Sequence, residues 1–413
     1  MSEVVPNRYQ NALMWMVFLM LGFVFFDRLT ITYLMPMIAP KLHVDNAEVG
    51  QISMWMTLAW DASALIFGML SDKSGLRKRW LIPFIVCTSV FSGFSAVAVS
   101  FSSLLLIRIF NGLGEGPTFP LSMSMLAAAS DERRLGRNIG FAQSGTGLIG
   151  MALAPLVVTQ VAVHFNWHVA FVVSGVPTLL MACIMWKWAK EVRFTSPTQK
   201  MNVGRYVEAL KYRNVSVSVL VSICLMIALW VMNIFAPLFL TNVDHLTESQ
   251  MGYVMAIMGL GAFFWGFVVP FISDIWGRKP TVIVFSFLSI FPPLVMHFYH
   301  GNWVILAVVS FFLNVVQGVF PLMMNIIPME TVPRELAATA GALSMSIGEI
   351  IGAALTPAIA GALADHYGLP IVMYIAAAGP LVATFVGFAF KESRVRTSRG
   401  ANLEAEASEA EYV

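Results

Sequence analysis

Apolar residues in this chain do not alternate with polar ones. They run in blocks of about twenty or more, each closed by a short polar connection. The blocks fall near 12–36, 48–70, 80–99, 103–127, 138–162 and 168–189, then 214–241, 249–273, 281–299, 303–327, 337–363 and 370–390. At 1.5 Å per residue, a helix of about 20 residues spans the roughly 30 Å hydrocarbon core of a bilayer. The pattern predicts an all-α membrane protein of about twelve transmembrane helices. Strands of a membrane barrel would instead alternate over about ten residues. The longest polar break divides the blocks six and six, which gives an expected N-terminal half 1–189, a linker 190–213, a C-terminal half 214–390 and a tail 391–413.

The halves repeat one another at an offset of about 202 residues. GMLSDKSGLRK at 68–78 has its counterpart in GFVVPFISDIWGRKP at 266–280, so Asp72 and Gly75 answer to Asp274 and Gly277. Asn111 and Pro120 correspond to Asn314 and Pro321, Gly140 to Gly341, and Gly147 and Pro155 to Gly348 and Pro357. So many matches in register indicate duplication. Two six-helix halves in parallel repeat are an architecture of secondary transporters, with substrate bound between the halves near the membrane midplane.

Composition agrees: 58% of residues are hydrophobic and 12% charged, against about 25% charged in soluble domains. With the N-terminus taken as cytoplasmic, Lys73, Arg77, Lys78, Arg79, Arg133, Arg134, Arg137, the linker, Arg278, Lys279, Arg334 and the basic cluster after the last block share one side, and Lys41 alone marks the other. The positive-inside rule then places both termini in the cytoplasm, with a bacterial inner membrane as the expected location. The net charge of +2 reflects this topology and gives no reason to expect nucleic acid. The first block is too long for the core of a signal peptide and is expected to remain as a helix. Cys87, Cys183 and Cys224 lack metal-ligand spacing and read as small apolar core residues, so no metal site is expected. The end LEAEASEAEYV reads as a solvated tail.

Against this background six charges stand out inside predicted helices: Asp27, Arg28, Asp61, Arg108, Glu115 and Glu349. Such a residue normally faces a protein interior or a water-filled cavity, because a charge at a helix centre costs roughly 2.5–3.5 kcal/mol on insertion scales. Asp27 and Arg28 point about 100° apart on a helix and so serve different partners. Arg108 and Glu115 lie seven apart in RIFNGLGEGPTFP, two turns along one face. The alternative is a structural ion-pair network that fixes helix packing. Asp61 reads equally as a cavity group or a structural one, beside Trp60. Glu349 reads as a protonated acid bonding across helices or as a substrate contact. Asn314 and Gln317 are polar groups at a cavity-compatible depth, serving helix packing or a substrate's hydroxyl groups.

The paired repeat and the Asp-and-basic loop after the second helix resemble the major facilitator superfamily over nearly the whole chain. That resemblance implies a gating role for Asp72, Arg77, Asp274 and Arg278 through contacts between the halves, although Leu76 stands where the motif usually has Arg. Asp27-Arg28, together with the Arg, Gly, Gly-Glu and Phe-Pro positions of 108–120, is similar to the anion:cation symporter family within that superfamily. It implies that Asp27 and Glu115 carry protons, that Arg28 contacts a substrate carboxylate, that Arg108 steadies Glu115, and that Gln143 in GFAQSGTGLIG also touches substrate.

GTGLIG at 145–150 follows no strand, so it reads as a helix-packing surface and not a dinucleotide site. No phosphate loop, zinc-protease motif or nucleophile elbow occurs, so neither ATP drive nor an enzyme is expected, and no cofactor. The sequence thus predicts a monomeric, lipid-embedded, proton-coupled symporter of a small organic anion, a sugar acid or an aromatic acid, working by alternating access. A proton-driven exporter of amphipathic compounds and a pH-independent organic-anion uniporter are the alternatives. Two fixed positive charges in the cavity argue against the first, and pH-independent uptake would reveal the second.

Overall fold

The computed structural model describes residues 6–191 and 203–392. Residues 192–202 of the linker, the basic cluster from Arg394 onward and the acidic end lie outside the described residues. Helices account for nearly everything else. The first six are α1 (Asn7–Leu42), α2 (Asn46–Ser74), α3 (Arg77–Ser95), α4 (Phe101–Glu115, carried on by Thr118–Ala129), α5 (Glu132–Gly145, Thr146–Leu153 and Ala154–His164 in series) and α6 (Trp167–Trp188). A short helix, Val203–Leu210, precedes the second set. That set is α7 (Arg213–Asn242), α8 (Glu248–Trp276), α9 (Arg278–Leu288, then Phe291–Phe298), α10 (Trp303–Leu313 followed by shorter pieces to Thr331), α11 (Arg334–Gly348, Glu349–Leu355 and Thr356–Tyr367) and α12 (Ile371–Gly387). Among the described residues nine of these are long and apolar enough to cross a membrane by themselves; α3, the broken α4 and the short α12 fall below that measure.

Chain punctuation explains where the helices turn. α2, α4, α6, α8 and α10 begin at the end of the bundle away from the termini, each capped by a side chain at Asp45, Ser100, Asn166, Thr247 or Asn302. These caps accept from backbone N–H groups that a helix start leaves unpaired. At the terminus end, Gly75 (φ 66°) and Gly277 (φ 100°) supply the left-handed turns of the two repeated loops. The repeat reappears in detail there. Glu191 accepts from the N–H groups of Lys78 and Arg79, and Glu392 does the same for Arg278 and Lys279. α5 and α11 both widen into π-helical turns, Thr146–Leu153 and Glu349–Leu355, beside the corresponding glycines Gly147 and Gly348. Such turns often mark functional sites. Cys183 departs from the core reading, since its helix presents it outward.

The halves meet most closely at the loop end, the one away from the termini. A Cβ on Gly50 of α2 would lie 2.3 Å from the Pro357 carbonyl of α11, and one on Gly259 of α8 would lie 2.1 Å from the Met151 carbonyl of α5. Asp365 of α11 accepts from the N–H groups of Asn46 and Ala47 and from Asn46 Nδ2, capping α2 from the opposite half. Because backbone lies against backbone at Gly259, Gly259→Leu is expected to wedge the loop end apart. Spin labels on the 43–45 and 368–370 loops should report a longer mean separation in the variant than in the parent.

Candidate functional site

Arg28 sits on α1 where the two halves face one another, and it is 5% exposed. One terminal nitrogen lies 3.4 Å from Glu115 Oε2 of α4, and the other donates to Thr57 Oγ1 of α2 at 3.2 Å. The guanidinium carbon stands 5.3 Å from the ring centroid of Trp60 on α2 and 4.9 Å from that of Trp230 on α7. A planar, weakly hydrated guanidinium suits such a place, because its faces stack on aromatic rings while its edges remain donors. Beside it lies a small pocket of about 30 Å³, room for about a water, lined by Ser53, Met56, Thr57 and Trp230 among others.

Asp27 faces the other way, as the helical angle requires. It is wholly buried inside the first half and accepts from Ser92 Oγ of α3, Ser174 Oγ of α6 at 3.1 Å, and Asn111 Nδ2 of α4 at 3.0 Å. Arg108 is equally buried. It reaches the backbone carbonyls of Asp27 and Arg28 at 3.5 and 3.4 Å and Ser95 Oγ at 3.4 Å. The geometry therefore differs from the roles the resemblance implied. The ion pair to Glu115 comes from Arg28, Arg108 acts on Glu115 through its charge alone, and Asp27 belongs to a knot joining α1, α3, α4 and α6. Removing the acid takes from buried Arg108 its strongest opposing charge and from Ser92, Ser174 and Asn111 a shared acceptor, a loss of roughly 1–3 kcal/mol or more. Asp27→Ala should accordingly melt at a markedly lower temperature in detergent than the parent protein.

Asp61 on α2 has Oδ2 buried without a hydrogen-bond partner among the described residues, and the stretch of α11 that carries Glu349 packs against α2. Glu349 is the first residue of the widened turn of α11. Glu115 is fully buried, and its Oε1 has no hydrogen-bond partner among the described residues. Trp230 Nε1, 8% exposed, likewise has none.

The remaining sequence candidates spread out from this centre. Asn314, at the break in α10, donates to the Met258 carbonyl at 2.9 Å and lines a second pocket of about 20 Å³ with Tyr33 and Asn233. Gln317 is half-buried with Oε1 unpartnered among the described residues. Gln143 does not join Arg28. Its neighbour Gly145 packs on Phe18, ten residues earlier on α1, or about 15 Å along the helix axis. Asp72 pairs with Arg77, and Arg278 with Asp274 at 2.6 Å and Glu330 at 2.8 Å, so these pairs run within each half. Sequence reasoning missed Thr57 and Trp230. The repeat held a signal for the latter, because an offset of 202 sets Trp230 opposite Arg28.

A family model described as Major Facilitator Superfamily matches residues 17–349 and 218–410. The chain belongs to that superfamily. It is an integral membrane transporter and not an enzyme. It is similar to a probable 4-methylmuconolactone transporter of Cupriavidus pinatubonensis, 27% identical over 84% of this chain and 82% of the relative. A hexuronate transporter of Bacillus subtilis is 27% identical over 62% of each chain. Among solved structures, a bacterial homolog of the human lysosomal transporter Spinster, in an inward-facing and unoccupied conformation, superposes with a TM-score of 0.74 at 17% identity, covering 93% of this chain and 97% of the other. That likeness is one of fold.

Proposed function

We propose that this superfamily member is a proton-coupled symporter that carries a small organic carboxylate into the cell by alternating access. The observation that carries this reading is Arg28. It is a fixed cation at the interface of the halves, flanked by two indole rings and paired to a buried acid through a single 3.4 Å contact. Glu115 holds Arg28 while ionised. When Glu115 takes a proton, its attraction for the guanidinium falls, and Arg28 becomes available to a substrate carboxylate. Anion and proton then favour one another at the same cation. The substrates for which the two relatives are named, 4-methylmuconolactone and hexuronates, fit a carboxylate pocket of this kind.

The energetics favour coupling. Moving an anion inward against an inside-negative potential costs about 2.3 kcal/mol per charge per 100 mV; one accompanying proton cancels the cost, and a second makes the potential assist. With the termini cytoplasmic, as the Lys and Arg distribution implies, the tightly packed loop end is the outer gate, closed here by Gly50, Gly259 and Asp365. Asp72 and Asp274, with their arginines, flank the inner opening, where exchange of partners would accompany inner closure.

The test is acidification of pyranine-loaded proteoliposomes when pooled sugar acids, and separately pooled aromatic acids, are added outside. Internal acidification beyond that of protein-free liposomes is expected with one pool. Acidification with neither pool, alongside pH-independent uptake of labelled acid, would reject coupling.

A further inference from the structure

We infer that Asp365 is a one-sided latch: it ties the halves along the seam between α2 and α11 alone, and its hydrogen bonds set the balance between the inward- and outward-facing arrangements. Its oxygens accept from the Asn46 N–H at 3.1 Å, from Asn46 Nδ2 at 2.8 Å and from the Ala47 N–H at 2.8 Å. Among the described residues these are the hydrogen bonds that join the halves at the loop end. α2 does not provide for those donors itself. In its own capping box Asp45 Oδ1 accepts from the Glu48 N–H, and Glu48 Oε2 accepts from the Asp45 N–H. The first two N–H groups of the helix are left over, and a helix start has no intrahelical acceptor for them. A carboxylate at that place is favoured by the helix dipole as well. The second half supplies it.

The duplication isolates this contact. An offset of 202 sets Gly252 opposite Gly50, Pro155 opposite Pro357, Thr159 opposite Gly361 and Val163 opposite Asp365. The two seams are packed alike at the earlier positions. Pro357 and Gly361 of α11 lie against Gly50 and Asn46 of α2, and Thr159 of α5 lies against Gly252 of α8. α8 also has a capping box of its own, from Thr247 and Gln250. What differs is where the acid comes from. The residue of α8 that answers to Asn46 is Glu248, in the first turn of its own helix. α8 therefore carries its negative charge with it, while Val163 offers no side-chain acceptor. When the halves part at the loop end, α8 loses packing alone, whereas α2 loses packing and the acceptor for two backbone donors and an amide. Asp365 is exposed, so water can take over its bonds and the latch can be released in every cycle. The inference rests on the alternating-access reading and goes beyond it in assigning the closing force to one seam and one residue.

Spin-label separations measured on the full-length protein in lipid nanodiscs without substrate test the latch. One label pair joins the 43–45 and 368–370 loops beside the α2 and α11 seam, and a second joins the 165–166 and 243–246 loops beside the α5 and α8 seam. Asp365→Ala should raise the ratio of long to short separations about fivefold, the factor that loss of a helix cap typically carries. Val163→Ala should leave the ratio at the parent value. Asn46→Glu copies the arrangement of α8, sets an acid against Asp365 and keeps the start of α2 supplied with negative charge. It should shift the ratio in the same direction as Asp365→Ala, and it decides the matter if Asp365→Ala does not elute and melt as folded. A parent-like ratio in folded Asp365→Ala or in Asn46→Glu, or an equal shift in Val163→Ala, would overturn the latch and leave the outer gate to packing. If the parent instead holds one separation both without substrate and with the sugar-acid and aromatic-acid pools added, alternating access itself fails and the latch with it. Failure of the liposome acidification alone leaves the label result readable.

Discussion

Glu115→Gln is expected to bring proton-driven uptake down to the level of protein-free liposomes while largely preserving exchange of labelled for unlabelled substrate. Glutamine keeps the size of the acid and mimics its protonated form, so Arg28 stays available to the anion in both orientations of the carrier. What is lost is the ability to release a proton, and with it the linkage between the gradient and the anion. Fold should be little affected, since Glu115 contributes one long contact at 3.4 Å where Asp27 accepts three hydrogen bonds. Counterflow and pH-driven uptake measured in one preparation separate the two activities. Unchanged pH-driven uptake would remove Glu115 from coupling.

Arg28→Lys should weaken substrate binding by at least roughly 30-fold, because truncating one partner of a buried hydrogen-bonded charge pair costs about 2–5 kcal/mol. Charge is conserved in this substitution, yet three features of the site are not. An ammonium lacks the planar fork that addresses a carboxylate with two parallel bonds, cannot lie flat between Trp60 and Trp230, and gives up a larger hydration shell on burial. Binding followed by quenching of tryptophan fluorescence, with acid added at a fixed pH, measures the loss directly. A lysine variant that binds as the parent does would show that the site needs only a positive charge.

The helical blocks, the paired halves and the repeated loops were legible in the sequence because each has a local cause: twenty apolar residues make a span, and a glycine at positive φ ends one. Arg28 and Glu115 were legible for a related reason, since charge in hydrocarbon is costly enough to stand out. Their pairing was not. Arg108 and Glu115 share a helix face at a spacing of seven, which favours them as partners on sequence grounds, but the side chain of Arg108 finds the α1 carbonyls beside Asp27 and leaves Glu115 to Arg28. Direction of that kind depends on how α1, α2 and α4 are rotated about their own axes.

The chemistry of the two halves is unequal although their framework is duplicated. The first supplies Arg28, Glu115, Thr57, Trp60 and Asp61; the second supplies Trp230 and Glu349. When the second half moves away, Arg28 loses the indole wall of Trp230, and water takes its place. The attraction between a guanidinium and a carboxylate 4 Å apart falls from about 4 kcal/mol at an effective dielectric constant of 20 to about 1 kcal/mol in bulk water. Opening would then loosen the anion by hydration, with Arg28 remaining on its helix throughout.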